Sequence, residues 1–192
     1  LILVQIVRSG YEDINILFTG DYNSKNMFFN VEPIPDYVKN LPLTVVQEST
    51  YGNMDSGQIE KCFENNILEA LSQGKNVIVP VFSLGRAQEI MYVLRVMQMR
   101  NQLSAKTPIY LDGKLAIKYT DLYSRGCIQI KEGMRNNFIP EKLSYVDSKE
   151  MRMSLLEKRK KKKIILTTSG MGTYGPAQTY LPTYLGREDC LI

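Results

Sequence analysis

Two carboxylates, two serines and an arginine stand where apolar runs of the chain break into turns. Asp21 follows the run Ile14 to Phe18 in Phe-Thr-Gly-Asp, and Glu48 follows Leu43 to Gln47 in Glu-Ser-Thr. Ser83, Gly85 and Arg86 follow Asn76 to Phe82, and Ser169, Gly170 and Met171 follow Lys163 to Thr168. A carboxylate just beyond a strand, behind a glycine that admits a second backbone, suits a metal ligand; Gly-Asp is equally an ordinary turn. An acid in the place of Glu48 is a helix cap or turn former as readily as a reactive group. Arg86 presents a flat fork of donors that matches two phosphate oxygens, and a pair with Glu89 inside the fold is its competing use. Ser83, Ser169 and neighbouring N–H groups would hold further oxygens.

Such groups need elements to hold them. Asn76 to Phe82 is apolar almost without a break, as in a parallel strand covered on both faces, and Arg86 to Met99 carries apolar residues at 87, 90, 91, 94 and 97, one face of a helix. The turn between them lies at a strand's carboxyl end, where open α/β sheets collect ligands. The unit recurs as strand Pro108 to Leu111, turn Asp112-Gly113-Lys114 and helix Leu115 to Ser124. Lys114 there would face either a phosphate or solvent. It recurs again as strand Lys163 to Thr168, turn, and a helix to about Leu185 with Pro176 in its first turn. Val77 to Val81, Ile109 to Leu111 and Ile164 to Thr168 are therefore expected as parallel strands of one sheet with helices on both faces.

Upstream, Leu1 to Val7 and Ile14 to Phe18 read as a hairpin, Asn23 to Asn40 as loop, and Leu43 to Gln47 as a strand. Asp55 or Ser56 caps a helix to Ser72, with Gln58 at the reciprocal position and Gly74 as its stop. Its stripe of Ile59, Cys62, Phe63, Ile67, Ala70 and Leu71 places Cys62 in the core. Val146 to Lys163 is expected to be helical from Met151, Leu155 and Leu156, and Cys190 to Ile192 reads as the start of another strand. If the strands are parallel neighbours, the five turns after them line one rim. The fold class is α/β, a mostly parallel sheet flanked by helices.

A chain of 192 residues with 44% hydrophobic content holds one core, or one domain and part of another. No apolar run reaches the roughly 20 residues of a membrane span, and Leu1 to Val7 lacks the basic lead of a signal peptide, so a soluble, cytoplasmic protein is expected. Cys62, Cys127 and Cys190 lie too far apart for a zinc knuckle, and no disulfide framework is evident. The chain contains no histidine. That excludes a Ser-His-Asp triad and an imidazole-built zinc centre from these residues alone. The net charge of +4 resides in Lys158 to Lys163, for without those six cations the remaining 18 face 20 acids. The run is either a solvated helix end or a phosphate contact. The first residue is not methionine and the last three are strand-like, so the chain is expected to be the middle of a longer protein.

Pro80 to Ile90, Pro-Val-Phe-Ser-Leu-Gly-Arg-Ala-Gln-Glu-Ile, together with Glu-Ser-Thr-Tyr-Gly from Glu48 and Phe-Thr-Gly-Asp from Phe18, resembles the β-CASP group of the metallo-β-lactamase superfamily. Ser-Gly-Met at 169–171, with Gly175-Pro176, also resembles a loop of that group near its cleft. These are zinc-dependent nucleases, mostly acting on RNA, of the cleavage and polyadenylation endonuclease and ribonuclease J type. The resemblance implies a partial metallo-β-lactamase segment over 1–50, contributing part of that domain's β-sheet, and a β-CASP domain over 51–192. It implies that Asp21 bridges two zinc ions, and that Glu48 orients a histidine from further along the longer chain. Ser83, Gly85, Arg86, Ser169 and Met171 would meet substrate. The remaining ligands would be an HxHxDH motif and further histidines outside these residues, so no tight zinc binding is expected from this chain alone. In the intact protein a zinc-activated hydroxide would attack a phosphodiester.

The implied partners are RNA and the rest of the metallo-β-lactamase domain, with a homodimer as a compatible assembly and no membrane. Two alternatives stand beside this reading. One is an inactive, nucleic-acid-binding scaffold. The other is a nucleotide-dependent α/β enzyme, because Gly170, Gly172 and Gly175 spell G-x-G-x-x-G between a strand and a helix.

Overall fold

The computed structural model describes residues 1–23, 25–50, 52, 56–135, 137–157 and 162–192, with 56–60 as backbone only. The expected cap at Asp55, the side chains of Gln58 and Ile59, and most of the basic run, Lys158 to Lys161, lie outside what is described. The chain divides into two compact units, Leu1–Asp55 and Ser56–Ile192.

In the first unit, β1 (Ile2–Ile6) and β2 (Ile14–Phe18) form the expected antiparallel hairpin, with Ile2 opposite Phe18 and Ile6 opposite Ile14. The strand β3 (Leu43–Val46) lies parallel to β2, Phe18 opposite Val46. Between them, the segment expected as loop contains one short helix, α1 (Asp36–Lys39), where Pro35 fixes the entry and Asp36 stands in the first turn. Leu17, Phe28 and Val38 are buried. Asn15 is buried as well, receiving a hydrogen bond from Gln5 Nε2 at 2.9 Å and donating to Pro42 O at 3.3 Å. The face carrying Ile2, Val4, Ile6, Ile14 and Phe18 is left exposed.

The second unit alternates helix and strand: α2 (Ser56–Ser72), β4 (Asn76–Pro80), α3 (Arg86–Met99), β5 (Ile109–Asp112), α4 (Lys114–Arg125), β6 (Leu143–Val146), α5 (Lys149–Glu157), β7 (Ile164–Thr167), α6 (Ala177–Tyr184) and β8 (Cys190–Leu191). All five strands are parallel, in the order β6-β5-β7-β4-β8. Val77 faces Ile164 across one pair and Ile109 faces Ile164 across the next, as the three apolar runs lead one to expect. Right-handed crossovers send α3 and α4 to one face and α5 and α6 to the other. On the second face Ile78, Ile165 and Val146 bury against Leu155, Tyr180 and Tyr184. Among the described residues no helix is long and apolar enough to cross a membrane.

Three expectations are corrected. Val146 ends a strand instead of opening a helix, because Leu143 to Val146 pairs with β5 along its whole length and α5 starts only at Lys149. Cys62 is exposed. The buried stripe of α2 is Ile67, Ala70 and Leu71, and on a 3.6-residue helix Cys62 points about a third of a turn away from its middle. The five strand-end turns do not share one sheet: two belong to the three-stranded sheet and three to the five-stranded one.

Candidate functional site

In the first unit, Asp21 and Glu48 follow neighbouring parallel strands at the same end, and Thr19 N–H closes the pair by donating to Val46 O at 3.0 Å. Asp21 is exposed, three residues beyond β2. The Glu48 carboxylate accepts the Thr50 N–H at 2.8 Å. That bond, helped by the Thr50 side chain and the Tyr22 N–H, holds its carboxyl below the usual glutamate range. Asp21 and Glu48, the two acidic positions read from the sequence, thus lie just beyond the same ends of two neighbouring strands. Among the described residues no group of three or more His, Cys, Asp or Glu side chains could hold a metal ion.

In the second unit the turns after β4, β5 and β7 converge. Both neighbours of β7 run into helices on one face of the sheet, whereas β7 runs into α6 on the opposite face, so its carboxyl end is a topological switch point. The backbone is stitched across it: Val81 N–H donates to Thr167 O at 2.8 Å, and Thr168 N–H to Asp112 O at 3.0 Å. Side chains are kept out where the loops touch. A Cβ on Gly113 would stand 2.3 Å from Thr168 Oγ1, and one on Gly170 would stand 3.1 Å from both the ring and the nitrogen of Phe82. Gly172 and Gly175 have positive φ, and a Cβ on Gly172 would stand 2.6 Å from Leu181 Cδ1. The glycines of the G-x-G-x-x-G string thus pack this loop on the sheet end.

Ser83, Gly85, Arg86, Ser169 and Met171 are all brought to this switch point, on differing terms. Arg86 is exposed, and its Nη1 meets Glu89 Oε2 at 2.8 Å, the competing use foreseen for it. The N–H groups of Gly85, Arg86 and Ala87 are already spent on Gln88 Oε1, Leu84 O and Phe82 O. Anion binding by those three N–H groups, one expectation for this turn, is therefore corrected: the tight turn consumes them. Ser169 is 3% exposed, and its Oγ is buried with no hydrogen-bond partner among the described residues. Met171 is exposed.

Two groups shape the site in ways the sequence reading missed, Asp112 having been named there only as part of a turn. Gln88, fully buried, receives the Gly85 N–H at 2.8 Å while its Nε2 reaches Thr120 Oγ1 at 3.1 Å and Ser83 O at 3.3 Å, which fixes the turn against α4. Its place three residues after Gly85, the capping spacing, was the available signal. Asp112, fully buried, takes a bidentate pair from Arg152 at 2.6 and 2.7 Å and the Tyr180 hydroxyl at 2.8 Å. Burial and the adjacent carboxylate push the Tyr180 hydroxyl far above its usual range, so it stays a donor.

The family described as the Beta-Casp domain matches residues 87–192, more than half of the chain. The chain belongs to the β-CASP group of the metallo-β-lactamase superfamily. Its β-CASP relatives include the transcription termination factor FttA of Methanosarcina mazei, 30% identical over 184 residues, which are 88% of this chain and 28% of that protein. The RNase J-like protein of Methanocaldococcus jannaschii is 32% identical over 182 residues, 92% of this chain and 42% of its own length. The cleavage and polyadenylation specificity factor subunit 3-I of Arabidopsis thaliana is 31% identical over 129 residues, 65% of this chain and 18% of that protein. The chain thus spans less than half the length of these relatives. The β-CASP match takes in all three glycines of the G-x-G-x-x-G string, and the dinucleotide reading is set aside.

Proposed function

We propose that this chain is the central part of a zinc-dependent ribonuclease that hydrolyses RNA phosphodiester bonds. In this reading residues 1–50 belong to a metallo-β-lactamase domain and 51–192 form the β-CASP domain. The observation that carries it is the family match from Ala87 to Ile192, in a chain whose two acidic candidates stand on adjoining strand ends. The relative named for RNase J supports the RNA substrate. The exposed apolar face around Ile2, Val4 and Phe18 is the surface that the rest of the metallo-β-lactamase domain would cover.

The residues of this chain do not by themselves fit two zinc ions. There is no histidine in the sequence, and a single exposed carboxylate does not hold zinc against water. Asp21 is therefore proposed as one ligand among others supplied outside these residues, with Glu48, kept ionised by its N–H contacts, available to orient one of them. In the second unit Arg86 would take a backbone phosphate, with Ser83, Gly85 and Met171 lining the approach. Ser169, being enclosed, would meet substrate only after its loop shifts. The test is cleavage of a labelled single-stranded RNA by the full-length protein and by the isolated 192-residue chain. Cleavage that a chelator stops in the first, and none in the second, is expected. No cleavage by a full-length protein that still binds RNA would make it a scaffold.

A further inference from the structure

We propose that Phe82 is a stacking platform for an unpaired nucleobase, an inference that rests on the RNA reading above and adds the contact that selects single strands. Five large apolar side chains, Phe82, Leu84, Leu115, Met171 and Tyr174, stand in or beside the three turns at the switch point, and each is more than half exposed. A soluble surface seldom gathers so many without a use. The Phe82 ring is held: Gly170 lies so close that any side chain there would press on the ring, which leaves the phenyl supported by the loop after β7 and open to solvent. Its own carbonyl accepts the Ala87 N–H at 3.1 Å, which anchors the backbone beneath it to the start of α3.

The charges around the ring favour nucleic acid over a protein partner. Arg86, Lys114 and Lys118 are exposed in the turns or first helical residues beside it. The carboxylates of the same stretch are not exposed: Asp112, at the end of β5, is buried and paired with Arg152, and Glu89, half-buried in the first turn of α3, is paired with Arg86. Aromatic rings interleaved with cations and without exposed acids form the pattern that holds single strands, phosphates on the cations and bases on the rings. The core of a protein interface is instead depleted in lysine.

The test uses the full-length protein and a single-stranded oligoribonucleotide with 2-aminopurine placed in turn at each position. Wild type should bind and quench the probe at one position or a few. Phe82→Leu, which keeps the apolar bulk without the ring, should weaken binding about 5- to 100-fold and lose that quench, while Phe82→Tyr keeps both. Binding of the same sequence as a duplex, where no base is free to stack, should not change between the variants. A wild-type protein that binds no single-stranded RNA would overturn the RNA reading and this one with it. Wild-type binding with an equal quench in Phe82→Leu would overturn the stacking contact alone. Unchanged binding with a lowered melting temperature would assign the ring to a contact within the protein.

Discussion

Arg86 carries two uses at once, and its geometry allows both. The pair with Glu89 engages Nη1, and a guanidinium has further donors in the same plane. In the full-length protein, Arg86→Ala should weaken RNA binding by about 1–3 kcal/mol, the range for losing a charge-assisted hydrogen bond. The slope of affinity against salt should fall by about one phosphate contact, and Arg86→Lys should restore only part of the loss. Unchanged affinity in Arg86→Ala, with a lower melting temperature, would leave only the helix pair. Glu48 gives a second test at this scale. Its carboxyl is held low by the Thr50 N–H, so what the contact adds to stability is present above the ordinary glutamate pKa and is lost as pH falls through the lower, folded value. Titration of the Glu48 carboxyl by side-chain NMR should give a midpoint below that of a free glutamate, and Thr50→Pro, which removes the N–H, should raise it. A midpoint at or above the free value would show that the contact does not form.

At the scale of elements, the alternation of buried strand and striped helix was legible because each apolar run meets only one solution. Val77 to Pro80 and Ile164 to Thr167 are covered on both sides and can afford no polar break, and Arg86 to Met99 repeats its apolar residues on one helical face. Val146 was assigned to the helix that follows it because Ser144 and Tyr145 interrupt the apolar pattern of its strand at a sheet edge, where one flank needs no cover. The Asp112 network was not legible at all, since its partners lie 40 and 68 residues away and no local pattern announces them. That network ties the end of β5 to α5 and α6. Asp112→Ala should cost about 3 kcal/mol in urea unfolding, at the lower end for a broken buried pair because Arg152 keeps some access to water. Tyr180→Phe should cost about 1.5–3 kcal/mol, having lost one hydrogen bond to a charged group. Stabilities within 0.5 kcal/mol of wild type for both variants would contradict the network.

For the whole molecule, the absent histidines and the two acidic turns were the most telling features of the sequence, and they point the same way. The first unit brings Asp21 and Glu48 to adjoining strand ends, and the second builds a β-CASP sheet whose carboxyl rim gathers the arginine, serine and aromatic turns. Which groups would complete the proposed metal site around Asp21 was not legible, because metal ligands converge from distant parts of a fold and this chain spans less than half of its relatives. The proposal that the intact protein is a zinc-dependent ribonuclease turns on that one carboxylate. The decisive measurement is the rate at which full-length Asp21→Ala cleaves a single-stranded RNA, taken beside its zinc content and the wild-type values. Turnover abolished and zinc content lowered, in a protein that still folds, is the expected result; wild-type turnover with an unchanged zinc content would contradict it.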